Sequence, residues 1–240
     1  MHHYIGTSGW NYPHWRNAFY PASLASSDWL AFYAERFSSV EINATFYRLP
    51  SARSLDAWRD AVPRDFRFAV KASRYITHMK KLKDPAESTR RFFERIERLD
   101  DRLGPVLFQL PPKWHVNVER LSAFLEALPS GYRYAFEFRD ASWWTESVAD
   151  LLAEHEAAFC QFDLEGRTSP AWTTTDLVYL RWHGSDGRYQ GRYSDASLDQ
   201  WADRIHRWEG EGRRVYGYFD NDAEAAAPAD AAALAGRLAD

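Results

Sequence analysis

A single cysteine, Cys160, rules out an internal disulfide, and with no second thiol in the chain a cysteine-ligated zinc site is ruled out as well. Linkers are also missing. No Gly/Ser-rich or Pro-rich stretch interrupts the chain and no low-complexity block precedes the Ala-rich tail at 223–239, so one domain over 1–240 is expected. The start, MHHYIGTSGW, has no basic segment followed by an apolar run, and no stretch approaches the roughly 18 apolar residues that a membrane span requires. A soluble, cytoplasmic protein without a membrane partner is the expectation. Neither sign of charge dominates: 30 Lys and Arg stand against 34 Asp and Glu, which argues against a surface built wholly to grip phosphate backbones. A local basic patch keeps nucleic acid open as a partner.

Aromatic residues are plentiful, with 11 Trp, and Trp stacks well on sugars, bases and guanidinium groups, so a Trp beside polar site residues matters. Eight short strand-like runs (4–9, 40–46, 67–73, 106–110, 134–139, 159–163, 178–183 and 215–220) alternate with apolar residues at helical spacing. Trp29, Leu30, Tyr33 and Phe37 form one such stripe, and Leu198, Trp201, Ile205 and Trp208 another. The exception is 164–176, LEGRTSPAWTTTD, which has no helical period and contains Pro170, so a loop is expected in place of the sixth helix. The pattern predicts an α/β fold, a closed parallel (β/α)8 TIM-barrel-like barrel. A Rossmann-like open sheet is the alternative, but no Gly-rich fingerprint supports it.

In a closed barrel, alternate side chains of each strand face the interior and the surrounding helices. The apolar phase (Val40 and Ile42, Phe68 and Val70, Phe108 and Leu110, Phe136 and Phe138, Cys160 and Phe162, Leu180 and Trp182) belongs against the helices. The other phase then points inward: Glu41, Asn43 and Thr45; Lys71 and Ser73; Gln109; Glu137 and Arg139; Gln161 and Asp163; Arg181 and His183; Tyr218 and Asp220. Barrel interiors are normally filled by branched apolar residues, so this set requires a reason. Mutual salt bridges without activity would be one. The charges fall late in the strands, at the mouth where barrel enzymes hold their active sites, which favours function.

Seven composite motifs in fixed order, GTSGW, VEINATFYRLP, FRFAVKASRYITH, LGPVLFQLPP, YAFEFRDASWW, VYLRWHG and VYGYFDND, resemble the YecE-like family, known as domain of unknown function 72. The resemblance covers essentially the whole chain and implies a TIM-barrel-like fold, with no established reaction. Matching positions include Glu41, Asn43, Lys71, Gln109, Glu137, Arg139, Arg181, His183 and Asn221. Two departures lie at the mouth: Asp140 follows EFR where the family often has His, and Asp220 stands where Asn is common.

The leading expectation is a hydrolase or lyase acting on an anionic, phosphate- or carboxylate-bearing, or sugar-containing small molecule. Glu41 and Glu137 would serve as general base and acid, His183 would carry a proton, and Lys71, Arg139 and Arg181 would hold the anion. Asp163 completes the catalytic candidates, and Asn43, Gln109, Asp220 and Asn221 the polar contacts. Trp10, Tyr47, Trp143 and Trp144 would form a stacking wall, although loop packing explains any one of them. Lys71 as an imine-forming amine is disfavoured, because nearby acids would keep it charged. No cofactor or metal is assigned, while a single Mg2+ on Glu41, Glu137, Asp163 or Asp220 stays open. The alternative is a nucleic-acid or nucleotide binder, including a metal-dependent phosphodiesterase, whose basic lip KASRYITHMKKLK carries Arg74, Lys80, Lys81 and Lys83.

Overall fold

A computed structural model describes residues 3–239. Eight parallel strands wind into a nearly closed barrel: β1 (His3–Thr7), β2 (Ser39–Ile42), β3 (Arg67–Lys71), β4 (Leu103–Leu110), β5 (Tyr134–Phe138), β6 (Ala158–Leu164), β8 (Leu177–Trp182) and β9 (Arg214–Phe219). A two-residue β7 (Arg167–Thr168) folds back antiparallel on β6. The strands neighbour one another in the order β1-β9-β8-β6-β5-β4-β3-β2. The connections carry α1 (Trp29–Ala34), α2 (Ala44–Tyr47), α3 (Ala52–Asp60), α4 (Pro85–Ile96), α5 (Val118–Glu126), α6 (Glu146–Glu154), α7 (Asp195–Gly210) and α8 (Ala226–Arg237). Between β6 and β8 there is no helix, as the sequence period predicts.

Four of the helices start on side-chain caps: Ser51, Asn117, Thr145 and Ser194 each accept a hydrogen bond from the backbone N–H three residues on. Their apolar stripes cover the outer strand phase, so Val40, Ile42, Phe68, Val70, Phe108, Leu110, Phe136, Phe138, Leu180 and Trp182 all lie in the layer between barrel and helices. The barrel interior is a second, separate cluster. Ala69, Leu107, Ala135, Ala158, Cys160, Tyr179, Tyr216 and Tyr218 plug its lower part with small and phenolic side chains. Lys71, Glu137 and Arg181 follow the plug residues Ala69, Ala135 and Tyr179 by two positions on their strands and stand above them.

The seam between β1 and β2 is the weak point of closure, because among the described residues only the bridge between Ser8 and Glu41 continues the ladder there. Gly9 N donates to Glu41 O at 2.8 Å. Below it, the Tyr33 hydroxyl of α1 accepts from Thr7 N at 2.9 Å and donates to Ser39 O at 3.2 Å, so a side chain substitutes for missing backbone bonds. Gly6 lets the strands approach: a Cβ there would sit 2.1 Å from Ser39 O.

Two expectations about the strands need correction. The run 40–46 is not one strand: β2 ends at Ile42, Asn43 adopts helical backbone angles, and α2 begins. Thr45 Oγ1 donates to Ile42 O at 2.8 Å and to Lys71 O at 2.6 Å, which pins the turn. Strand β6 has the opposite phase to that expected: Cys160 faces the interior, while Gln161 faces outward, donating to Trp172 O and accepting from Arg204 of α7. The cover over β6 is the irregular 164–176 segment, which offers polar backbone where a helix would offer an apolar stripe.

Candidate active site at the barrel mouth

The ends of β2, β5, β8 and β9 deliver an ion-pair cluster centred on Arg181, whose side chain is fully buried. Its Nε and Nη2 donate to the two oxygens of Glu41 at 3.1 and 2.8 Å, a bidentate pair. Nη1 donates to Glu137 Oε2 at 2.9 Å, and Nη2 also reaches Asp220 Oδ2 at 3.1 Å. Glu41 is completed by Ser8 Oγ and by the Tyr179 hydroxyl at 2.7 Å. Glu137 takes a second guanidinium, that of Arg139, on its other oxygen. Burial alone would raise the Glu137 carboxyl, but Arg139 and Arg181 outweigh it and hold the group well below the ordinary carboxylate range. Glu41 and Glu137 are therefore fixed counter-ions of two arginines.

Above that pair the groups have unspent capacity. The guanidinium of Arg139 lies over the Phe162 ring, and its Nη2 donates to His183 Nε2 at 3.0 Å. An Nε2 that accepts leaves the proton on Nδ1, which lies 3.0 Å from Asp220 Oδ2 but out of line for a hydrogen bond. Burial and then Arg181 and Arg139 push the His183 pKa far down, so the imidazole is neutral. Burial raises Asp220, with Arg181 and Lys71 opposing.

Lys71 closes β3 and is the exception in this group. Among the described residues its Nζ makes no hydrogen bond and has no carboxylate within 4.0 Å. The amine sits 4.4 Å from the centre of the Phe46 ring. Burial, reinforced by Arg181, brings its pKa down to about 8, against the smaller opposing pull of Glu41, Asp220 and Glu137. The neighbouring acids thus hold the proton of this lysine less firmly than expected, because Arg181 already occupies them, and most of the amine is still ammonium at pH 7. His78 packs edge-on against the same Phe46 ring at 4.9 Å, and burial with Lys71 lowers it to about 4.

Of the remaining residues singled out from sequence, Gln109 is half-buried beside Glu137 in register, while Arg74 is exposed. Asp163 turns away from the interior and accepts from His183 N and from the Tyr193 hydroxyl, anchoring the 184–193 loop. Asn221 donates to Gly191 O and to Asp230, a structural knot against α8. Trp143 is fully buried, stacked on Phe138 with its Nε1 donating to Trp114 O, so it belongs to the helix layer and not to a ligand wall. Asp140 caps its own turn through Ser142 N.

Trp10, Tyr47 and Asn43 instead line a hollow of about 460 Å³ with Tyr12 and Trp58, on the rim over β1 and β2. Trp10 meets Trp58 edge-on at 4.9 Å, Tyr47 is 70% exposed, and Asn43 Oδ1 is buried with no partner among the described residues. Sequence reasoning missed Ser8, Tyr179 and Phe46. Tyr179 was within reach, since it lies two residues before Arg181 on the same face.

No helix among the described residues is long and apolar enough to cross a membrane, and among them no group of three or more His, Cys, Asp or Glu is arranged to hold a metal ion.

Comparison with known proteins agrees with this architecture. A family model described as "Protein of unknown function DUF72" matches residues 4–240, and the chain belongs to that family. The UPF0759 protein YunF of Bacillus subtilis is 26% identical over 252 residues, covering 91% of this chain and 88% of its own. A crystal structure of a DUF72 family protein from Thermotoga maritima superposes with a TM-score of 0.90 at 31% identity, over 100% of both chains. One from Enterococcus faecalis gives 0.85 at 18% identity over 99% of this chain and 95% of its own, a likeness of fold.

Proposed function

We propose that this DUF72 chain binds a small anionic molecule, phosphate- or carboxylate-bearing, at the C-terminal mouth of its barrel and acts on it as a hydrolase or lyase. One observation carries the reading. Lys71 and Arg139 bring cationic donors to the mouth that the protein's own carboxylates do not use up, whereas Arg181 is saturated beneath them. Unpaired buried charge is costly, so an ammonium held this way fits a site completed by a ligand's negative group. Acid and base roles then fall to the groups with displaced pKa values at the same place, Asp220 and the neutral His78, with His183 fixing Arg139. Glu41 and Glu137 set the field and the orientation of the arginines. The aromatic hollow of Trp10, Tyr12, Tyr47 and Trp58 supplies a wall for a sugar ring or other planar moiety. Of the carboxylates that would hold Mg2+, Glu41, Glu137 and Asp220 are engaged by Arg181 and Asp163 by the Tyr193 hydroxyl, so no step is routed through a metal.

Calorimetric titration with inorganic phosphate and with a sugar phosphate tests this. Binding is expected in the wild type and is weakened about tenfold or more in Lys71→Met and in Arg139→Gln, one charge-assisted contact being worth roughly 1.5–3 kcal/mol. Unchanged affinity in both variants would sink the reading. Oligonucleotide binding that is steeply salt-dependent and indifferent to Lys71→Met would instead assign the ligand to the loop carrying Lys80, Lys81 and Lys83, where Lys80 is already paired with Asp84 at 3.1 Å.

A further inference from the structure

We infer that Lys71 is an imine-forming nucleophile, and that the molecule it takes is a small aldehyde or ketone whose carboxylate or phosphate meets Arg139; this rests on the anion-binding reading of the same mouth. An amine that attacks a carbonyl must be held still, shielded from water and left without a carboxylate that fixes its proton. Lys71 meets all three conditions. Its backbone carbonyl is clamped by Thr45 Oγ1 at 2.6 Å, and its residue is 6% exposed, above the apolar plug formed by Ala69 and Leu107. Its Nζ has no ion-pair partner among the described residues, while the carboxylates of Glu41, Glu137 and Asp220 are drawn to Arg181. The same lack of an acid partner that suits an anion clamp also leaves the amine free to give up its proton.

Its lowered pKa agrees: with a value of about 8, roughly a tenth of the amine is neutral at pH 7, against well under a thousandth for an ordinary lysine. The face of Phe46 pulls weakly the other way by favouring the cation.

The step balances without an outside oxidant or reductant. The Nζ lone pair attacks the carbonyl carbon and a C–N bond forms. The carbonyl oxygen takes up a proton, and on taking a second it departs as water, the two protons being those the nitrogen gives up. Amine plus carbonyl becomes imine plus water. Asp220, whose carboxyl burial raises and which lies at the same mouth, is the group assigned to relay a proton to that oxygen. On taking one proton back from solvent the imine nitrogen becomes an iminium, which withdraws electrons from the neighbouring carbon, as a lyase requires of its covalent group.

The test is reductive trapping. The intact protein is incubated separately with glyoxylate, pyruvate and glyceraldehyde 3-phosphate in the presence of sodium cyanoborohydride, whose hydride converts an imine into a stable secondary amine, and peptides are mapped by mass spectrometry. At least one probe is expected to label Lys71 on the order of tenfold or more faster than Lys80, Lys81 or Lys83 at pH 7, following the neutral fraction of each amine. Labelling should rise with a midpoint near 8. Lys71→Arg abolishes the label at this position. Labelling confined to surface lysines, or a Lys71 midpoint with the other lysines above 10, overturns the inference. If phosphate binds by calorimetry but Lys71 stays unlabelled, the imine falls and the anion site stands; if neither is seen, both fall. The wild-type labelling decides the matter even if Lys71→Arg folds poorly.

Discussion

Arg181 holds three carboxylates at once, so its replacement does more than delete a contact. In Arg181→Met, Glu41 and Glu137 stay buried with their charge, and Glu41 loses the one guanidinium that reaches it among the described residues. Removing one partner of a buried ion pair costs about 3–5 kcal/mol, and a drop of that size is expected in urea unfolding at pH 7. Adding Glu41→Gln should recover part of it, because the amide needs no counter-ion; a single variant as stable as the wild type would show that the cluster is wet and screened. At this scale strand alternation made Glu41, Lys71, Glu137, Arg139, Arg181 and Asp220 legible as neighbours. What it could not show was how the partners are shared. That one arginine takes three acids and leaves one lysine none depends on side-chain reach across the barrel, which no spacing along a strand encodes.

The seam between β1 and β2 is where an element depends on a single hydroxyl. Tyr33 stands on α1, yet it accepts from Thr7 N and Thr7 Oγ1 and donates to Ser39 O, joining two strands that share one bridge among the described residues. Tyr33→Phe keeps the ring and strands a buried N–H, so a loss of about 1–3 kcal/mol is expected by chemical denaturation. Hydrogen exchange of the Thr7 amide should accelerate by the same free energy, and unchanged protection there would mean that backbone bonds alone close the barrel. The eight strands and the missing sixth helix were readable because period and Pro170 are local signals. The phase of β6 was not, since Phe159 and Phe162 lie on opposite faces of it and apolarity cannot choose between them. Its true cover, a loop offering the Trp172 carbonyl to Gln161, is a tertiary fact.

Across the whole molecule, the Lys71 amine sets stability against function. A pKa brought from 10.5 to about 8 means that the folded protein binds this proton less well than the unfolded chain does. Stability therefore carries a penalty at neutral pH that is relieved as pH rises from about 8 to 10.5, where the folded state has released the proton and the unfolded state still holds it. The full displacement corresponds to at most about 3 kcal/mol. Other lysines and tyrosines titrate in the same window, so the quantity to measure is the difference in guanidinium unfolding free energy between the wild type and Lys71→Met. Met fills the same stem volume with no charge to desolvate, and the variant is expected to be the more stable at pH 7, with the gap closing towards pH 10.5. A bound anion should close the same gap from the other side, because phosphate stabilises the protein that still has the amine more than the variant, each by RT ln(1 + [L]/Kd). A gap that stays constant with both pH and phosphate would mean that Lys71 reaches water freely, and the mouth would then hold no buried cation to draw a ligand in.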